Sequence, residues 1–195
     1  KLGMIGETVV NLMFTYDRIT LPAENTAVNR IVVLFREGLL TQDLVDILHA
    51  LRKVRNKAVH ENYASVADGK VLLQMAHSLC EWFMQTYGDW NYKNKPFILP
   101  ADLPVEASTD TGAEQEHEKQ LSKEAEEKAA ASDSVAKEKR RQQAAKAASQ
   151  RQKTEAETRY MIDQQLRQVG WEADTENLRF SKGTRPVKGR NLAIA

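Results

Sequence analysis

The sequence predicts a mainly α protein: a helical bundle over residues 1–100, a polar helical spacer over 101–153, and the opening helix and strand of an α/β unit from 154. Three observations predict it. Large apolar residues recur at spacings of three and four through the first hundred positions, which is the period of a helix with one buried face. They almost vanish between 106 and 159, so that stretch lacks the side chains for a core of its own. Order returns at Thr154-Glu155-Ala156-Glu157, a helix start, followed by Gly170 and an extended segment from Trp171.

Element by element, Ile5, Val9, Leu12, Met13 and Tyr16 form the first stripe, which Pro22 ends. Val28, Ile31, Val32 and Phe35 form the second, with Gly38 placed as its C-terminal glycine. Thr41 is positioned to cap a third helix through its hydroxyl, ahead of Leu44, Ile47, Leu48, Leu51, Val54 and Ala58. Ser65, with Asp68 three residues on, is the cap expected for a fourth helix through Val71, Leu72, Met75, Leu79, Trp82, Phe83 and Tyr87. Each stripe must bury against another, hence a bundle. Asp89 to Pro100, with two prolines and clustered aromatics, reads as an extended strap on that bundle, and 104–112 as a linker.

Residues 113–153 are rich in Ala, Glu, Lys, Gln and Arg, with Leu121 and Val135 as the large apolar residues. Helix propensity is high, but a coiled coil needs sustained apolar a and d positions. The expectation is a solvated or frayed helix, about 60 Å long if fully helical, with its charges in water. The Thr154 box caps reciprocally, threonine accepting the N3 amide and Glu157 reaching back to the cap's own amide. The helix after it is expected to bury Ile162, Leu166 and Val169 on one face, and to stop at Gly170.

Charge and cysteine content narrow the chemistry. The net charge is +1, and the final forty residues hold 7 basic against 5 acidic side chains, too small an excess for a broad nucleic-acid footprint. Cys80 is the single cysteine, so no internal disulfide forms, and its apolar neighbours at helical spacing mark a core thiol. No apolar run approaches the roughly 18 residues of a membrane helix, and a cytoplasmic location is expected. Both ends are read as internal to a longer protein.

The motifs divide sharply. Glu126-Glu127-Lys128 has the letters of a nuclease metal motif but sits in a Glu/Ala/Lys repeat rather than on a strand. His60-Glu61 and His117-Glu118 lack the second histidine of a zinc helix, and no Gly-x(4)-Gly-Lys-Ser/Thr loop occurs. No metal site is expected here. More specific is Leu178-Arg179-Phe180-Ser181-Lys182-Gly183-Thr184-Arg185-Pro186, preceded by Tyr160-Met161-Ile162-Asp163-Gln164-Gln165-Leu166-Arg167 and Gly170-Trp171. Together these resemble the entry to the nuclease domain of type I restriction-enzyme R subunits. The resemblance implies that 154–195 opens that nuclease domain. For the intact subunit it implies partnership with methylation and specificity subunits, double-stranded DNA as substrate, and Mg²⁺ and ATP as cofactors, neither cofactor being held by this stretch alone. Arg179, Lys182, Arg185, Lys188 and Arg190 are the candidate contacts to DNA phosphate.

A second string, Arg55-Asn56-Lys57-Ala58-Val59-His60, resembles the signature of a helical domain found at the start of many R subunits. That domain is similar to the HEPN superfamily, some of whose members are ribonucleases with an Arg-x(4–6)-His pair. Histidine can move protons near neutral pH and arginine can hold a phosphate. The ribonuclease reading therefore rests on Arg55, Asn56 and His60. Against it, Arg55 continues the line of Leu44, Leu48 and Leu51, which points to a packed stem and a paired guanidinium. A structural role is preferred, with docking or regulation as the task of the module. A non-catalytic interaction domain is the other alternative.

Overall fold

The computed structural model describes residues 2–60, 66–99, 116, 117, 119–121, 123, 124, 126, 127, 134–151 and 153–195; of 57–60, 66, 67, 134 and 135 it describes the backbone. The chain is mainly helical. Helices α1 (Leu2–Tyr16), α2 (Ala27–Arg36), α3 (Gln42–His60) and α4 (Val66–Phe83) form the bundle, and α4 runs on into a π-helical turn, Met84–Gly88. Then follow α5 (Ser134–Gln150), α6 (Glu155–Gln168), β1 (Glu172–Ala173), a 3₁₀ turn (Phe180–Lys182) and β2 (Leu192–Ala193). The expected cap at Ser65 and the linker 104–112 lie outside the described residues.

In α1, α3 and α4 the buried faces follow the expected stripes. Met13, Leu44, Ile47, Leu48, Leu51, Leu72, Met75, Leu79 and Trp82 form the center of one core. Gly3 and Gly6 let α1 approach α3 closely: a Cβ at position 3 would stand 2.5 Å from that of Arg55.

Helix α2 differs in phase. Ile31 and Leu34 are its buried residues, and Phe35, expected inside, is 44% exposed. Its ending gives the reason. The Leu39 amide donates to the Leu34 carbonyl and the Gly38 amide to that of Phe35, both at 3.0 Å, with Gly38 at φ +70°. This closure folds Leu39 back over Leu34, and both are buried. Thr26, not singled out in the sequence, caps α2 by accepting the Asn29 amide at 3.2 Å. The Thr41 cap is also corrected. Its carbonyl accepts the Val45 amide at 3.1 Å, while its buried hydroxyl has no hydrogen-bond partner among the described residues.

The strap is extended and packs on α4 as expected. Glu81 receives the Tyr92 hydroxyl at 2.7 Å and the Lys95 amide at 2.6 Å, and Phe97 meets His77 edge to face. Cys80 is half-buried on the same helix; burial and the neighbouring Glu81 push its thiol up, away from the reactive thiolate.

The largest departure is α5. The solvated-spacer expectation is overturned for 134–150, because Ala144 and Ala147 are buried in the bundle core and the Trp82 indole donates to the Ala144 carbonyl at 3.1 Å. Small residues allow the two backbones to approach, and the basic residues find carboxylates on the bundle. Arg140 bonds Asp17 at 2.7 Å, and Arg141 and Lys137 reach Glu37 at 2.9 and 3.4 Å. Asp17 has no exposed side chain; it also accepts the Tyr87 hydroxyl at 2.7 Å. Its charge is thus paired and hydrogen-bonded, the condition for burying it. Of the residues in the false metal motif, Glu126 and Glu127 lie exposed on helical backbone, and Lys128 is outside the described residues.

Candidate nucleic-acid interface

Residues 154–195 build the surface that carries the candidate DNA contacts. The capping box forms in full: Thr154 Oγ1 accepts the Glu157 amide at 3.2 Å and Glu157 accepts the Thr154 amide at 3.3 Å. Glu157 is buried because it also takes the Arg151 guanidinium at 2.7 Å. Arg151 further donates to Ser78 Oγ at 2.7 Å and to Asp43. That knot decides which side of α6 faces the bundle. Glu157 and Tyr160 go inward, while Ile162 and Val169, expected to be buried, are 48% and 70% exposed.

Helix α6 ends as the Gly-Trp pair predicts. Gly170 has φ +84° and the Trp171 amide reaches back to the Leu166 carbonyl at 2.9 Å. Two polar residues one turn apart then tie β1 and its turn to α6. Asp163 accepts both the amide and the hydroxyl of Thr175 at 2.8 Å, and Arg167 Nε donates to the Ala173 carbonyl at 2.5 Å. Asp174 closes the next turn. Burial pushes its carboxyl up, but hydrogen bonds from the Asn177 side chain and the amides of Asn177 and Glu176 outweigh this and hold it low. Strand β1 pairs in parallel with β2, Glu172 with Leu192 and Ala173 with Ala193. This short ladder is the whole of the sheet among the described residues.

The five candidate cations are brought to one unit but not to one state. Arg179 Nε is occupied by the Thr175 carbonyl at 2.5 Å, and Arg190 pairs with Glu172, Nε to Oε1 at 2.8 Å. The Arg190 guanidinium holds the Glu172 carboxyl below its ordinary range. Arg185 lies 4.3 Å over the Phe180 ring and donates to the carbonyls of Phe180 and Thr184 at 2.9 Å. Lys182 and Lys188 are exposed and have no ion pair among the described residues. They flank a rim whose turns rest on Gly183 and Gly189, at φ +86° and +82°.

The second candidate site is half visible. Arg55 is 41% exposed and its guanidinium bonds Glu7 of α1; Asn56 is exposed; the His60 side chain lies outside the described residues. Among the described residues no group of three His, Cys, Asp or Glu side chains converges. The nucleotide loop is missing from the sequence. No helix among them is long and apolar enough to cross a membrane.

These features define a helical bundle joined through a docked polar helix to a small unit with a basic rim. In sequence the whole chain is similar to the endonuclease subunit of the type I restriction enzyme EcoKI of Escherichia coli (strain K12), with 30% identity over 247 aligned residues. The chain spans about a fifth of that subunit, 21% of its length. No family profile matches the chain, and no solved structure matches it.

Proposed function

We propose that this chain is the amino-terminal module of the restriction subunit of a type I restriction-modification enzyme. The observation that carries the reading is the 30% identity to the EcoKI endonuclease subunit along the entire chain. The Leu178–Pro186 string, which resembles the entry to the nuclease domain of R subunits, supports it, and within the string Gly183 and Arg185 build the turn that carries Lys182. In the parent protein, ATP-driven movement on double-stranded DNA and Mg²⁺-dependent cleavage belong to segments other than this one. The module acts in docking against the methylation and specificity subunits, in the cytoplasm, and its rim touches DNA phosphate. Lys182 and Lys188 lead that contact, with Arg185 beside them; Arg179 and Arg190 serve mainly to hold the rim.

The test is made on the full polypeptide containing this chain, assembled with its methylation and specificity subunits. Cleavage of unmodified plasmid with ATP and Mg²⁺ is expected. Lys182→Ala with Lys188→Ala should weaken DNA binding uniformly across sequences and lower the salt slope by about two. An assembled complex that cuts no plasmid would refute the parentage. An unchanged salt slope would remove the rim from the DNA interface.

A further inference from the structure

Within the last unit the basic rim surrounds an exposed aromatic ring. Phe180 opens the 3₁₀ turn Phe180–Lys182 and is 57% exposed. Its backbone is held on both sides. The amide donates to the Ala195 carbonyl at 3.0 Å, and the carbonyl accepts the Gly183 amide at 3.1 Å and the Arg185 guanidinium at 2.9 Å. Arg185 also donates to the Thr184 carbonyl at 2.9 Å, which keeps its guanidinium 4.3 Å over the ring. Ring and guanidinium form a platform that is in place before any ligand arrives, so little ordering is needed to use it.

Charge decides what such a platform can receive. From 177 to 195 the sequence holds five basic side chains and no acidic one. Arg190 is neutralised by Glu172, whereas Lys182, Arg185 and Lys188 have no ion pair among the described residues. Apolar protein laid over Phe180 would strip water from these uncompensated charges, a cost that packing on one ring does not offset. A nucleotide meets both demands, its base stacking on the ring and its phosphate facing the cations. Bases in a duplex are already stacked and offer a protein only their edges. The ring is therefore useful where a base is unpaired.

We infer that the rim holds an unpaired DNA strand, with one base on the Phe180–Arg185 platform and the flanking phosphates at Lys182 and Lys188. The inference rests on the reading of this rim as a DNA contact and names the form of DNA that it takes.

Binding of the 195-residue chain is measured by fluorescence anisotropy at one low salt concentration, with labelled ligands of about ten nucleotides per strand. The ligands are oligothymidylate, an abasic strand with the same phosphates, and a duplex. Oligothymidylate should bind about tenfold or more tighter than the abasic strand, because the bases are all that separates them. Phe180→Leu, which keeps an apolar side chain, should bring oligothymidylate to the abasic level and leave duplex binding unchanged. Phe180→Tyr should keep the original affinity. Lys182→Ala with Lys188→Ala should weaken all three ligands, the result that the rim reading itself requires. Equal affinity of the unaltered chain for the thymidylate and abasic strands overturns the inference whatever the variants do, and leaves the rim reading standing if the lysine pair still matters. A folded Phe180→Leu chain with undiminished oligothymidylate affinity, or with duplex binding weakened as much, overturns it as well.

Discussion

Arg151 gathers Ser78 of α4, Asp43 of α3 and Glu157 of α6, with a side chain only 6% exposed. Removing it leaves Glu157, itself 4% exposed, as a buried carboxylate without its cation. Arg151→Ala should therefore cost about 3–5 kcal/mol in denaturant unfolding. Arg55→Ala is the contrast. Its pair with Glu7 is about 40% exposed on both sides, so water and salt screen it, and the loss should be about 0.2–1 kcal/mol. A larger loss for Arg55 than for Arg151 would reverse this ranking. Tyr87 supplies a pH signature. Burial, and then the Asp17 carboxylate it bonds, push its hydroxyl well above the ordinary value near 10. The folded state holds the proton that the unfolded chain releases, so this stability is complete below about pH 10 and falls as pH rises beyond it. Tyr87→Phe should flatten the alkaline loss by up to about 1.4 kcal/mol per pH unit, read from unfolding at pH 9 to 11.5. An unchanged alkaline slope would mean Tyr87 ionises normally.

Helix α5 shows how a helix with a single large apolar residue, Val135, can still belong to a core. Ala144 and Ala147 admit the Trp82 ring to the helix backbone, and Arg140 and Arg141 anchor it to Asp17 and Glu37. Residues 1–100 and 134–195, expressed as separate chains, should therefore bind each other and blue-shift the Trp82 fluorescence. Ala147→Glu, which forces an unpaired carboxylate against the core, should abolish that association. If 1–100 alone melts with the same midpoint and the fragments do not associate, α5 is a spacer after all. The phases of α2 and α6 carry a related lesson. In both, the sequence offers more apolar positions than one face can bury, and contacts outside the helix choose: Leu39 over Leu34 in α2, Arg151 against Glu157 in α6.

For the molecule as a whole, the consequence of α6's orientation is an apolar surface left in water: Ile162, Val169, Trp171, Phe180 and Val187 are each more than 40% exposed on the final unit. The 195-residue chain by itself should neither cleave plasmid DNA with Mg²⁺ nor release phosphate from ATP. The missing nucleotide loop and the absence of a converging carboxylate cluster among the described residues motivate this. Turnover abolished by a point substitution within the chain would show otherwise.

What the sequence determined by itself is local. The Thr154 box, the glycine endings at Gly38 and Gly170, and the stripes of α1, α3 and α4 involve residues a few positions apart, so periodicity and cap chemistry suffice to read them. The five cations of the last unit were legible as types. Tertiary structure alone decided that Arg190 is paired, because its partner Glu172 lies on β1, 18 positions away. It alone brought Arg140 to Asp17 and Arg151 to Asp43, pairs separated by 123 and 108 positions. A charged side chain looks the same in sequence whether it faces water or a carboxylate from a distant helix. What separates the two is desolvation and pairing, and both arise only when the helices pack.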